Sequence, residues 1–248
     1  MVHAQGSTPH REAFIGGSSL GFVAKSIDFL GKASHAGGAP HEGINALNAA
    51  MSAMMCIHAQ RETFRDEDKI RVHPIITNGG ELVNIVPSIV TMETYVRGAN
   101  FPAIRDAANK VDRAIEGASY AIGAKCNIKN YKGYLPLVQS NELSQLFEDN
   151  LNALPCEVKI HHGVDMVGST DIGDLSHLIP VIQPTMGGYT GNLHALEFGV
   201  FDKEFAYLDA SKTIAMTVID LLFDEAKEAL RIKNNFTPLM TKEEYLNF

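Results

Sequence analysis

Gly31-Lys32-Ala33-Ser34-His35-Ala36-Gly37-Gly38-Ala39-Pro40-His41-Glu42-Gly43-Ile44-Asn45-Ala46-Leu47 is the stretch on which the reading of the fold turns. It joins a strand-like run, Phe22 to Leu30, to an Ala- and Met-rich helical run from Ile44 to about His58. Gly37 and Gly38 let the backbone turn without a Cβ clash, and Pro40 stiffens the approach to the helix. Two histidines, His35 and His41, therefore sit on a constrained strand-to-helix turn, where a rigid scaffold supports chemistry. On local composition alone, a histidine-bearing surface loop is the plain alternative.

Working outward, Val23, Ile27 and Phe29 share a face opposite Ser26 and Asp28, the pattern of a half-buried strand. Ile44, Leu47, Met51, Met54, Met55 and His58 recur at spacings of three and four and predict an amphipathic helix buried on that stripe. Ile70 to Ile76 is β-rich despite Pro74, and Asn78-Gly79-Gly80 is a turn signal because its residues tolerate positive φ. From Ile89 to Arg97, Val90, Met92, Thr94 and Val96 take one face of a strand, and Glu93, Tyr95 and Arg97 the other. A helix follows from Pro102 to Ile122, striped by Ile104, Ala107, Ala108, Val111, Ala114, Ile115 and Ala118, with the proline in its first turn. Cys126 to Tyr131 makes one more strand. Residues 22–134 thus read β-α-β-β-α-β, the ferredoxin-like arrangement of an open sheet with two helices on one face.

Either side of this block the pattern differs. Residues 1–21 are polar and glycine-rich, a short strand and loop. After Pro136, Ser140 to Leu154 predicts a helix capped by Ser140 or Asn141, and Val158 to Ile160 a short strand. A glycine- and histidine-rich block, His161 to His194, contains a short strand from Ile179 to Gln183. The last helix runs from about Phe205 to Ile232, its apolar side marked by Leu208, Ile214, Val218, Leu221, Leu222 and Leu230. The tail from Asn234 reads as peripheral.

At 248 residues the chain holds one large domain or two smaller ones, and 45% hydrophobic with 20% charged residues is ordinary globular composition. A formal net charge of −8 argues against nucleic acid or an anionic membrane as partner. Three scattered cysteines, Cys56, Cys126 and Cys156, form no CxxC pair and fit a reducing cytoplasm. No apolar run approaches the ~18 residues of a membrane span, and Met-Val-His-Ala-Gln-Gly has no signal-peptide pattern. These readings predict a soluble, cytoplasmic protein.

Four stretches carry side chains beyond what packing asks for: the His35/His41 turn; Asn78-Gly79-Gly80-Glu81-Leu82-Val83-Asn84-Ile85-Val86-Pro87; Gly168-Ser169-Thr170-Asp171-Ile172-Gly173-Asp174; and Met186-Gly187-Gly188-Tyr189-Thr190-Gly191-Asn192-Leu193-His194-Ala195-Leu196-Glu197-Phe198. Each alone reads as a turn or a solvated loop. In this order they resemble the zinc-dependent peptidase and amidohydrolase family of carboxypeptidase G and the aminoacylases, most of all its aminobenzoyl-glutamate utilization type. The resemblance covers residues 1–232. It implies an α/β chain in which a ferredoxin-like lid and dimerisation domain, 22–136, is inserted in a partial metal-binding catalytic domain made of 1–21 and 137–248.

The resemblance also implies roles. His35 matches the lid histidine that reaches the other protomer of a homodimer and stabilises the tetrahedral oxyanion. Asn84 matches the residue that helps hold substrate. Arg97 and Gly187 join it as substrate-binding candidates. His194 matches the last metal-ligating histidine, and His3, 32 residues before His35, is offered as a second ligand. The metal implied is zinc, or manganese, and the substrate an N-acyl amino acid or aminobenzoyl-glutamate-like amide. The chain departs from the family in lacking the earlier ligands and the paired-glutamate general base. Glu243-Glu244 reads as a solvated surface pair, and Thr170-Asp171-Ile172 replaces the frequent Glu-Asp-Phe, leaving Asp171 as a supporting acceptor. The expectation is therefore a C-terminal portion of such an enzyme, inactive alone for want of an N-terminal half that is either carried by a separate chain or lost by truncation. A non-catalytic dimerisation or regulatory module, or an unrelated ferredoxin-like small-molecule-binding protein, are the alternatives.

Overall fold

The structure, a computed structural model, describes residues 1–247. It comprises two compact units, residues 1–19 with 137–248 and residues 20–136. In chain order the first unit opens with β1 (His3–Ala4) and β2 (Glu12–Ile15). The second unit follows with β3 (Gly21–Leu30), α1 (Ala46–Ala59), β4 (Arg71–Val72), β5 (Ile75–Asn78), β6 (Ile89–Gly98), α2 (Phe101–Ile122) and β7 (Lys125–Lys132). The first unit resumes with α3 (Asn141–Asn152), β8 (Lys159–His162), α4 (Ile172–Ser176), β9 (Thr185–Met186), β10 (Tyr189–Thr190), β11 (Gly199–Val200), α5 (Ala210–Asn235) and α6 (Lys242–Asn247).

The second unit is the ferredoxin-like arrangement that residues 22–134 predict. Its antiparallel sheet runs β4-β6-β3-β7, with β5 also paired to β6. Val90, Met92 and Val96 of β6 and Ile27 and Phe29 of β3 face both helices across one core. Asn100 and Asn45 cap α2 and α1 by accepting from the N–H groups of Ala103 and Asn48. The predicted stripe of α2 is the buried one. That of α1 is buried only in part: Ala46, Ala49, Ala50, Ala53 and Ile57 form its buried side, Ile44, Leu47 and Met54 pack against the core at its margin, and Met51 and Met55 are 54% and 71% exposed. The reason is steric, since α2 also turns an alanine-rich face to the core and two such faces let the backbones approach closely. Pro74 lacks an N–H, and the β-rich run around it is split into β4 and β5.

The first unit holds a mixed sheet, β1-β9-β2-β8, over a core of Ala13, Ile15, Phe147, Leu151, Met186, Phe205 and Ala210. Ile179–Gln183 is not a strand. Ser140 N–H donates to Val181 O (2.8 Å) and Gln183 N–H to Gln139 Oε1 (2.6 Å), so its backbone groups serve the 139–140 turn, and the strand comes later, as β9. The last helix begins with a π-helical turn, Glu204–Asp209, and is interrupted at 223–226, where Asp224, Glu225 and Ala226 take positive φ. Its buried side is Ala210, Thr213, Thr217 and Ile232. Of the predicted stripe, Leu208, Ile214, Val218, Leu222 and Leu230 are exposed and Leu221 is half-buried; periodicity finds the apolar side of a helix but not what covers it. Among the described residues, no helix is long and apolar enough to cross a membrane.

A charged group sits in the core of the second unit. Lys25 lies on the buried face of β3, 2% exposed, and its Nζ donates to both carboxylate oxygens of Asp112 on α2 (2.7 and 2.9 Å) and to Asn130 Oδ1 on β7 (2.7 Å). Removing one partner strands the other charge, whereas replacing both with apolar groups relieves their desolvation. Asp112→Ala should therefore destabilise the protein by roughly 3–5 kcal/mol in urea unfolding, and Lys25→Met with Asp112→Leu should be neutral or stabilising.

Candidate active-site turn

β3 leaves its sheet through Gly31, whose N–H donates to Ser88 O (2.7 Å). A Cβ there would lie 2.1 Å from the Ile44 carbonyl oxygen. Only glycine lets Lys32 and Ile44 exchange their two backbone hydrogen bonds, both 2.9 Å, and these close the neck of the loop. Beyond the neck the loop pairs with the segment that follows the Asn78-Gly79-Gly80 turn. Ala36 N–H donates to Asn84 O (2.9 Å), Val86 N–H donates to Ser34 O (3.0 Å), and His35 stands opposite Ile85. Ala46 N–H then donates to Pro87 O (2.9 Å) as α1 begins. Two stretches some fifty residues apart in sequence are thus one structure, with His35 and Asn84 as neighbours on it.

The imidazole is held by its own turn. His35 Nδ1 accepts from the backbone N–H groups of Gly37 (3.2 Å) and Gly38 (2.9 Å). A neutral imidazole has one lone-pair nitrogen and one N–H. With Nδ1 accepting, the proton belongs on Nε2, and His35 is a hydrogen-bond donor at its outer nitrogen.

Arg97 is elsewhere. It lies at the far end of β6, eight residues and about 26 Å of strand from Ile89, and its guanidinium covers the rings of Phe22 (5.0 Å) and Tyr95 (5.3 Å). Within one chain it does not join His35 and Asn84.

The remaining candidates belong to the first unit. Gly187 N–H donates to Glu12 O (2.8 Å), and a Cβ at Gly187 would sit 2.4 Å from His10 O, so close backbone packing demands glycine there. His3 lies on β1, and its Nδ1 is 2.8 Å from Ala4 O. A carbonyl only accepts, so Nδ1 carries the proton and Nε2 keeps its lone pair, the arrangement common to metal-ligating histidines. His194 lies in the β10–β11 connection at φ +68°, and Ser7, three residues after β1, donates to Gly191 O (2.8 Å) and Asn192 Oδ1 (3.0 Å) of the same loop. Asp171 precedes α4 without capping it, while the neighbouring Thr170 hydroxyl donates to Gln183 Oε1 (2.7 Å). Among the described residues, no three His, Cys, Asp or Glu side chains stand together so as to hold a metal ion. A catalytic zinc takes three protein ligands and a water, and the described residues bring no such set together in this structure.

Sequence reasoning missed a pairing in the histidine-rich block. His161 Nε2 lies 2.6 Å from Glu12 Oε2, and its ring stacks on Phe14 with centroids 4.6 Å apart. The parallel register of β2 and β8 makes this contact, and no local pattern links residues so far apart. Burial, and then the nearby Asp209 carboxylate, push the Cys156 thiol up.

Residues 18–122 match the model of the peptidase dimerisation domain. This segment is an M20 peptidase dimerisation domain. Over 232 residues the chain is 29% identical to mouse Xaa-Arg dipeptidase, a match that covers 90% of this chain and 53% of the dipeptidase. The fold is that of an aminobenzoyl-glutamate utilization protein from Klebsiella pneumoniae (TM-score 0.72, 19% identity, 91% of this chain and 55% of that one). It is also that of a dinuclear metal-binding M20 peptidase from Bacillus subtilis (TM-score 0.65, 18% identity, 89% and 56%). The chain spans about half the length of the curated relatives it matches. Within it, the dimerisation domain carries the His35 turn, and Gly187, His3 and His194 lie outside the domain.

The tautomer has a direct readout. Nitrogen-15 shifts of the neutral His35 ring should show Nδ1 unprotonated and Nε2 protonated, with the reverse for His3. Gly38→Pro, which removes the shorter of the two N–H donors, should shift the His35 Nδ1 resonance toward that of a free ring.

Proposed function

We propose that this chain supplies the lid and the adjoining part of the catalytic domain to an amidohydrolase or peptidase of the M20 type, cleaving the amide of an N-acyl amino acid or aminobenzoyl-glutamate-like substrate. The observation that carries the reading is the outward Nε2–H of His35, fixed by two backbone donors on a turn interlocked with Asn84. A neutral N–H donor held in place before reaction suits an oxyanion, because its dipole needs no reorganisation as charge develops. Asn84 lies on the segment paired with this turn, and its side-chain amide is able to donate to or accept from a substrate. His3 and His194 would be two ligands of a zinc or manganese centre, whose remaining ligands and general base would come from outside this chain.

The partner we propose for the domain is a second copy of itself. The sheet has two free edges. β7 carries Lys125, Lys129 and Lys132, all exposed, and lysine on an edge discourages strand addition. The β5 edge carries exposed Ile75, and α1 beside it presents Met51 and Met55. A twofold contact through β5 and α1 covers these apolar side chains. A second reading, a dimerisation module without catalysis, draws on the domain having its own sheet, helices and closed core.

Two measurements separate them. Amide hydrolysis and bound metal are assayed on this chain alone and together with a polypeptide matching the other half of its relatives. Activity should require both parts, and His35→Ala should lower kcat about 10²–10³-fold, while Asn84→Ala should chiefly raise KM. Undiminished turnover by the His35→Ala protein would sink the oxyanion role. In sedimentation, Met51→Glu with Met55→Glu should give monomers, and Lys129→Glu should leave the dimer intact.

A further inference from the structure

The C-terminal segment, which the sequence reads as peripheral, is tied to the rest of its unit by specific polar contacts. Thr241 and Glu244 form a reciprocal cap: Thr241 N–H donates to Glu244 Oε2 (2.7 Å), and Glu244 N–H donates to Thr241 Oγ1 (3.1 Å). The Thr241 backbone N–H, and then its hydroxyl, hold the Glu244 carboxyl below its ordinary range. Glu244 is therefore one half of a cap, where its sequence reads as part of a solvated pair. The six residues of α6 so ordered lie against α4. Leu239 N–H donates to His177 O (2.9 Å), and the Tyr245 hydroxyl donates to Asp174 Oδ2 (3.1 Å). Burial, and then the Asp174 carboxylate, push the Tyr245 phenol up, so it remains a donor.

Apolar packing contributes little to this attachment. Leu239 and Leu246 stay more than half exposed, and a cavity of about 740 Å³ remains between the segment and Leu178 and Ile179. Polar contacts toward its two ends, Leu239 to His177 and Tyr245 to Asp174, contribute to the hold. What they hold is α4, whose first residue, Ile172, directly follows the Gly168-Ser169-Thr170-Asp171 turn.

We infer that residues 236–247 are a strap that fixes α4 and the Gly168–Asp171 turn, with Tyr245 as its positioning residue. A bearing on catalysis would rest on the proposed function together with the supporting role that the resemblance implies for Asp171; the strap itself rests on neither. Hydrogen exchange on the full chain separates the two, because it needs no turnover. Tyr245→Phe should speed exchange of the amides in 172–179 several-fold, and a chain ending before Pro238 should speed it about tenfold or more, with α2 unchanged in both. Asp174→Asn keeps an oxygen acceptor and should retain most of the protection, whereas Asp174→Ala should match Tyr245→Phe. Wild-type exchange in 172–179 of the Tyr245→Phe protein would overturn the inference, even if the shortened chain unfolds. Equal loss from Asp174→Asn and Asp174→Ala would overturn it too, by showing that the hydroxyl–oxygen contact is not what holds the segment.

Discussion

Two backbone N–H groups meeting one ring nitrogen decide the chemistry of the His35 turn. Gly37 and Gly38 direct their amides at Nδ1, and a neutral ring so engaged has a single remaining donor, on its outer nitrogen. Everything around the ring serves this arrangement. Gly31 must lack a side chain for the loop neck to close on Ile44. The segment bearing Asn84 must pair with Ser34 and Ala36 for the loop to keep its course. The hydrogen bonds involved are individually worth about 1 kcal/mol, but they share one short ladder, so the ring is oriented by a backbone framework and not by side-chain packing. A donor on such a framework is ordered before any substrate arrives, which is what electrostatic preorganisation asks of it.

His3 is the mirror of this case. Its Nδ1 faces a carbonyl, which forces the proton onto that nitrogen and leaves the lone pair on Nε2. The same residue type is thus prepared as a donor in one unit and as an acceptor in the other, by nothing more than the polarity of the nearest backbone group. An oxyanion needs the first and a metal ion needs the second.

How much of this was legible beforehand follows from what each pattern depends on. The order β-α-β-β-α-β could be read because strand alternation and the α2 stripe are local and strongly periodic. The burial of α1 could not, because its methionines and alanines both recur at helical spacing, and the choice between them was made by an alanine-rich neighbour some sixty residues downstream. For α5 the same ambiguity exposed the leucines. Lys25 is a third instance: alternation put it on the inner face of β3, but only the fold supplies Asp112 and Asn130 to receive it. Of the candidate site, the glycines and His35 were visible as a motif, whereas the tautomer, the pairing with Asn84 and the Glu12–His161 contact are products of register.

Arg97 sharpens the case for two chains. It and His35 stand at opposite ends of the same sheet, separated by the length of β6, and no amide the size of an acylated amino acid spans that gap. Rotamer changes do not help, since the separation lies in the backbone of a ten-residue strand paired on both sides. If both side chains serve one substrate, two copies of the domain must present opposite ends to it. A twofold contact through the β5 edge does this naturally, because the axis runs the two sheets antiparallel and sets the His35 end of one beside the Arg97 end of the other. The lysine-lined β7 edge offers no such join. The distance along one strand therefore ties the substrate hypothesis to the oligomer hypothesis, and neither stands for long without the other.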